Sequence, residues 1–213
     1  LNWFTSDLHL NHDNIRGYCN RPFSSTEEMN EALIQRWNEK VKETDTVYVV
    51  GDMFLGRPEE AAPLVRRLRG RKILIRGNHD RSHRTMLECG FDETWQRKNV
   101  QLQDGRRALL CHKPLPSSVI DMYDLQVHGH RHSHPIVSGR RVNVCVDLWD
   151  FSPISEDELC GVELESPKVD HVSVEVTSDF VKVTASVRKE DYEGLLDHLQ
   201  GYSRTIWDTR GED

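Results

Sequence analysis

Apolar stretches too short to be helices end, one after another along the first two thirds of this chain, on residues of the types that ligate metals. Residues 1–6 stop at Asp7 and His9, residues 46–50 at Gly51-Asp52, and residues 72–75 at Asn78, His79 and Asp80. Residues 107–111 then stop at His112, and residues 125–128 at Gly129-His130-Arg131-His132. Runs of this length and composition read as buried strands. The segments between the first three read as helices. Ser25 with Glu28 three residues on forms a capping box, after which Met29, Leu33, Ile34, Trp37 and Val41 share one face, predicting a helix over about residues 26–42. Pro58 opens a second helix that turns Ala61, Ala62, Val65 and Leu68 inward. The order β, α, β, α, β predicts parallel strands with right-handed crossovers. In open sheets of that kind ligands gather at the carboxyl ends of the strands, where all of these polar residues fall.

After a short helix near residues 82–89, Asp104-Gly105 between two apolar arms is a hairpin signal, and its second arm delivers His112. Strands near 125–128 and 141–146 complete a second sheet expected to lie against the first. The tail differs: Val172, Val174 and Val176 alternate, Ser178-Asp179 offers a turn, and Val181, Val183, Ala185 and Val187 alternate again before a helix near residues 189–200. The pattern therefore changes near residue 160, between a main domain over residues 1–160 and a C-terminal extension over residues 161–213, a β-hairpin plus helix.

Charge separates the two parts. The net charge of -7 arises mainly in residues 161–213, with 6 Lys and Arg against 12 Asp and Glu, whereas residues 1–160 carry 22 against 23. Neither part has the basic footprint of a nucleic-acid groove, so nucleic acid is not the favoured partner. The extension is read as a layer covering a sheet edge, with a homodimer contact or a lid as alternatives. With no membrane span and no leader pattern at the start, the chain reads as cytoplasmic. Its five cysteines, odd in number and far apart, read as reduced thiols.

Asp, Asn and His in one shell suit manganese, iron, zinc or nickel. The series Asp7-Leu8-His9, Gly51-Asp52, Gly77-Asn78-His79-Asp80, His112 and Gly129-His130-Arg131-His132 resembles the signature of the calcineurin-like metallophosphoesterase superfamily, element by element and in order. The resemblance covers about residues 1–155. It implies an α/β fold, a two-sheet α/β/β/α sandwich. It also implies two divalent ions, manganese first, one on Asp7, His9 and His132 and the other on Asn78, His112 and His130, with Asp52 bridging them. A hydroxide shared by the ions would attack the phosphorus of a phosphate ester. His79 is implied to protonate the leaving oxygen, and Asp80 to orient it. The opening segment through Arg21-Pro22-Phe23 is similar to a compact bacterial and phage branch of this superfamily. It suggests that His12, Asn14 and Arg21 line the rim of the metal cleft and contact the substrate; Arg131 is a separate candidate for phosphate contact.

A small phosphodiester or nucleotide is the first substrate class, and a phosphomonoester or a nuclease substrate the alternative. A non-catalytic metal-binding scaffold is the reading from another class, and it leaves His79 without a purpose. Structural zinc fits worst, because such sites close four ligands and usually include cysteine.

Overall fold

The computed structural model describes residues 1–164 together with the strands Val169–Val176 and Val181–Val187. Its first half runs β1 (Asn2–Thr5), α1 (Asp13–Tyr18), α2 (Thr26–Lys40), β2 (Thr46–Val49), α3 (Pro58–Arg66), β3 (Arg71–Ile75), α4 (His83–Cys89) and β4 (Glu93–Trp95). The second half runs β5 (Lys98–Gln101), β6 (Arg107–Leu110), α5 (Ser117–Ile120), β7 (Leu125–His128), β8 (Val137–Ser138) and β9 (Arg141–Asn143). A single 3-10 turn (Val146–Leu148), β10 (Ile154–Ser155) and α6 (Glu156–Cys160) follow.

β1 to β4 are parallel neighbours, as the alternation of strand and helix requires, and β10 returns antiparallel to the free edge of β1. The second sheet has the order β5-β6-β7-β9-β8, with β6, β7 and β9 parallel and a hairpin at each margin. At the predicted turn between β5 and β6, Gly105 takes a φ of +88°, which explains why glycine follows Asp104.

Side chains alternate between two cores. Trp3, Val47, Val49 and Leu74 face the helices and pack with Met29, Leu33 and Trp37. Their neighbours Phe4, Val50, Ile73 and Ile75 face the second sheet and pack with Ala108, Leu110, Val127 and Val142. Strands buried on both faces are what a parallel sheet between two layers demands. On the far side of the second sheet, Gln126 accepts from Leu115 N at 3.0 Å and donates to Lys113 O at 2.8 Å, holding the segment after β6 in place.

Capping departs from expectation in one detail. Ser25 Oγ accepts from Glu28 N at 3.0 Å, but the Glu28 carboxylate takes Ser24 N at 2.7 Å rather than closing the box on Ser25. A complete box occurs instead at α6, where Ser155 and Glu158 satisfy each other's backbone N–H.

β11 (Val169–Val176) and β12 (Val181–Val187) pair antiparallel, with Val172 opposite Ala185 and Val176 opposite Val181. The helix expected near residues 189–200 lies outside the described residues. Among those described, no helix is long and apolar enough to cross a membrane, and the five cysteines form no disulfide.

Candidate metal centre

Five strand ends meet at one edge of the sandwich, and their loops are bonded to each other. Asp7 N donates to Gly51 O at 2.9 Å and His9 N to Asp52 O at 3.1 Å, so the segments after β1 and β2 travel together. Gly129 N donates to His112 O at 3.0 Å, joining the ends of β6 and β7. The sheets are stitched where His130 N donates to Asp7 Oδ2 at 2.9 Å, an oxygen that also accepts from Ser6 Oγ at 2.6 Å.

The backbone is strained where these residues project. Asp7, His9, Asp52 and His130 all have positive φ, between 52° and 69°. Asp, Asn and His tolerate that conformation better than other side chains, and it persists only where surrounding structure enforces it. Here it turns consecutive strand ends toward a common point.

At that point three buried atoms lack any hydrogen-bond partner: Asp7 Oδ1, His9 Nε2 and His112 Nε2. Leaving one such atom unmet costs about 1–3 kcal/mol. His9 Nε2 is 3.9 Å from Asp7 Oδ1 and 3.8 Å from Asp52 Oδ2, and His132 Nε2 is 3.7 Å from Asp7 Oδ1. His112 Nε2 is 3.2 Å from Asp52 Oδ2 without the alignment of a hydrogen bond. Asp7, His9 and Asp52 form one group, and Asp52, His112 and His130 a second, each with its donor atoms within 4.8 Å of one another. Asp52 belongs to both. Buried oxygen and imidazole donors, unpaired and converging, fit a pair of divalent cations.

The imidazoles are oriented through their other nitrogens. His112 Nδ1 meets Val50 O at 2.8 Å and His132 Nδ1 meets Asp147 Oδ2 at 2.7 Å, leaving each Nε2 for the centre. Burial would raise the Asp52 carboxyl, but the His112 imidazole, the His79 N–H and His9 outweigh it and bring it to about 2. Burial lowers His9 to about 3 and, together with His112, lowers His130 to about 4, so both stay neutral donors. At His132 burial is overcome by hydrogen bonding to Asp147 and Cys19 and by the charge of Asp7, which together raise it to about 10. That half of the centre has a field that attracts positive charge.

The remaining residues singled out in the sequence are placed unevenly. His79 is exposed at the mouth, its Nε2 4.0 Å from Asp52 Oδ2 and its ring edge-on to His9, and Asn78 lies exposed beside it. Asp80 does not orient the His79 ring. Its Oδ2 accepts from Asp52 N and Gly77 N, and its Oδ1 from Met53 N, so it clamps the loops after β2 and β3 together. His12 stands at the rim, its Nδ1 3.3 Å from His9 Nδ1, and Asn14 is exposed on α1. Arg131 is partly buried and reaches His134 Nε2 at 3.1 Å.

Arg21 is displaced from the substrate role expected of it. Its buried guanidinium forks onto Asp147 at 2.8 and 2.9 Å and donates to Asp7 O at 2.7 Å and Leu8 O at 2.8 Å. Every polar direction is used beneath the centre. Asp147, which connects Arg21 to His132, escaped the sequence reading although it follows a strand-like run in the same way as Asp7 and Asp52. Cys145 Sγ, 3.1 Å from Asp147 Oδ2, completes that group.

A family model described as calcineurin-like phosphoesterase matches residues 3–172. An uncharacterized protein of Methanocaldococcus jannaschii is 36% identical over 164 residues, covering 73% of this chain and 86% of its own. The Gene 66 protein of Mycobacterium phage D29 is 29% identical over 186 residues, covering 72% of this chain and 92% of its own. Among solved structures, a protein of unknown function from Aquifex aeolicus superimposes with a TM-score of 0.63 at 27% identity, covering 75% of this chain and 97% of its own. The chain belongs to the calcineurin-like phosphoesterase family, whose members are metal-dependent hydrolases of phosphate esters.

Proposed function

We propose that this family member is a dinuclear phosphodiesterase acting on a small phosphodiester or nucleotide. Asp7, His9 and His132 would hold one cation and Asn78, His112 and His130 the other, with Asp52 available to both. Manganese is the first candidate, with iron, zinc or nickel as alternatives. The observation that carries this reading is the convergence of unpartnered, buried Asp7 Oδ1, His9 Nε2 and His112 Nε2 around Asp52. When bound, the two ions supply Lewis acidity toward phosphoryl oxygens and lower the pKa of a shared water.

The chain's own groups do the rest. Asp52 is held by His79 N at 2.9 Å on one oxygen, which leaves the other turned to the imidazoles. Asp80 keeps the loops carrying Asp52 and His79 in register. His79, exposed and on the open side, can carry a proton at Nε2 to a leaving oxygen. A scaffold that only bound a partner would have no use for that arrangement. The near-neutral charge of residues 1–160 favours a small substrate over a nucleic acid strand.

Protein stripped with EDTA and reloaded with manganese tests this on bis-p-nitrophenyl phosphate, p-nitrophenyl phosphate, cyclic nucleotides and single-stranded DNA. Hydrolysis should favour a diester, vanish with EDTA and return with manganese. Asp52→Asn should lose more than the about 100-fold that an outer partner of a metal ligand costs. Turnover indifferent to EDTA, or an Asp52→Asn protein of undiminished activity, would refute the proposal.

A further inference from the structure

Tyr18, at the end of α1, leaves 74% of its surface in solvent, so the fold gains little from it. Its ring lies edge-on to His12 with centroids 6.4 Å apart, and His12 in turn lies 5.2 Å from His9. A single imidazole thus separates Tyr18 from the candidate metal ligand His9. Beside Tyr18, between α1 and Phe23, is an open surface cleft of about 500 Å³ lined by Asp13, Asn14, Arg16, Gly17 and Arg21. That volume is in the range of small-molecule sites.

The walls combine a flat aromatic face with polar groups. Arg16 donates to Phe23 O at 3.0 Å and to Asp13, which fixes its guanidinium in the wall. Asn14, exposed on α1, offers a donor and an acceptor on one planar group. Asp13 is not free to repel a ligand's anion from close range, being tied to Arg16 and Thr26. Gly17 keeps the space open, since a Cβ there would meet nothing within 4 Å.

We infer that this cavity is a nucleobase subsite, which makes the substrate a nucleotide. The base stacks on Tyr18, Asn14 meets its polar edge, and its phosphate reaches past His12 to the metal centre. An acyl chain would need apolar walls that the cavity lacks. A sugar face also stacks on an aromatic ring, but a base adds a planar polar edge that the Asn14 amide can match. The inference rests on the phosphoesterase reading for the position of the phosphate.

Calorimetric titrations of the manganese-loaded full chain with AMP, inorganic phosphate and adenosine test it. AMP should bind at least about tenfold more tightly than phosphate, as one good stacking contact allows. Tyr18→Ala should cut the AMP-to-phosphate affinity ratio by about five- to a hundredfold, while Tyr18→Phe keeps it. Gly17→Leu, filling the cavity at a helical position without a positive φ, should abolish the ratio. An AMP-to-phosphate ratio near one in the wild type, or a ratio untouched by both Tyr18→Ala and Gly17→Leu, overturns the subsite and leaves the phosphoesterase reading standing. Failure of phosphate and AMP alike to bind, with no metal-dependent turnover, overturns that reading instead. Adenosine then decides the subsite alone: binding lost in Tyr18→Ala supports it, and no binding refutes it.

Discussion

Compared strand end by strand end, the two sheets bring different chemistry to the centre. The first contributes the carboxylates Asp7 and Asp52, with His9 and the loop of Asn78, His79 and Asp80. The second contributes imidazoles, His112, His130 and His132. Neither set is positioned by its own sheet alone. His112 is oriented by Val50 O of the first sheet, and Asp7 Oδ2 is held by the backbone of His130 in the second. His132 depends on Asp147, which Arg21 grips from the first half. The centre is therefore a property of the joint between the sheets.

Two glycines can break that reciprocity from opposite sides. A Cβ on Gly51, at the end of β2, would come within 2.3 Å of His112 Nδ1 and 2.8 Å of the Gly77 backbone, and its φ of +92° strains any other residue. A Cβ on Gly129, at the end of β7, would come within 2.2 Å of Asp7 Oδ2 and 2.3 Å of Ser6 Oγ. Each intrusion strikes the sheet across the joint. Gly51→Ala should cost the most, about 2–5 kcal/mol from overpacking plus backbone strain. Gly129→Ala should cost about 1–3 kcal/mol from overpacking alone. Urea unfolding in EDTA gives both numbers, and manganese titration should show both variants impaired. Equal costs would remove the distinction between the two sides.

Next in size is Asp147→Asn. His112 is backed by a neutral carbonyl and His132 by a carboxylate, so the two imidazoles are unequal as donors. The substitution should weaken one of two manganese equivalents by about 10- to 100-fold and spare the other. Electron paramagnetic resonance titration resolves the equivalents. A uniform weakening of both would mean that Asp147 supports the whole joint rather than one side of it.

Much of this was legible in the sequence, because strand ends announce themselves. The short runs at β2, β3 and β7 are followed by glycine and a polar residue, and the candidate ligands stand at these strand ends. Less visible were α1, β4, β10 and α6, each too short to show a period, and the capping of α2, where Ser24 competes with Ser25 for Glu28. Arg21 misled for a physical reason. An arginine near a cluster of acids suits a phosphate as well as a buried carboxylate, and only burial decides between them. Asp147 carried the same strand-end signal as Asp52 but stood outside any motif. Asp80 was rightly placed near His79 in sequence, yet its three backbone donors face the loops rather than the ring.

The smallest expected effect separates the joint from the chemistry. Glu156 accepts from Asn2 Nδ2 at 2.9 Å and from Gln103 N at 3.0 Å, tying the start of β1 to the segment after β5. Asn2 is at the opposite end of β1 from Asp7, about 17 Å away at about 3.3 Å per residue. Glu156→Ala removes the acceptor that Asn2 and Gln103 share, which costs about 0.5–1.5 kcal/mol because water can take the exposed Gln103 N–H, and Glu156→Gln should recover most of that by keeping one acceptor. If docking of the sheets is firm enough to hold the centre without this tie, manganese affinity in both variants stays within about twofold of the wild type while the unfolding midpoint falls in the order Ala, then Gln. Affinity falling in step with stability would show that the strand ends are positioned by the whole interface, and that the loop-to-loop bonds around Asp7 and Asp52 do not suffice.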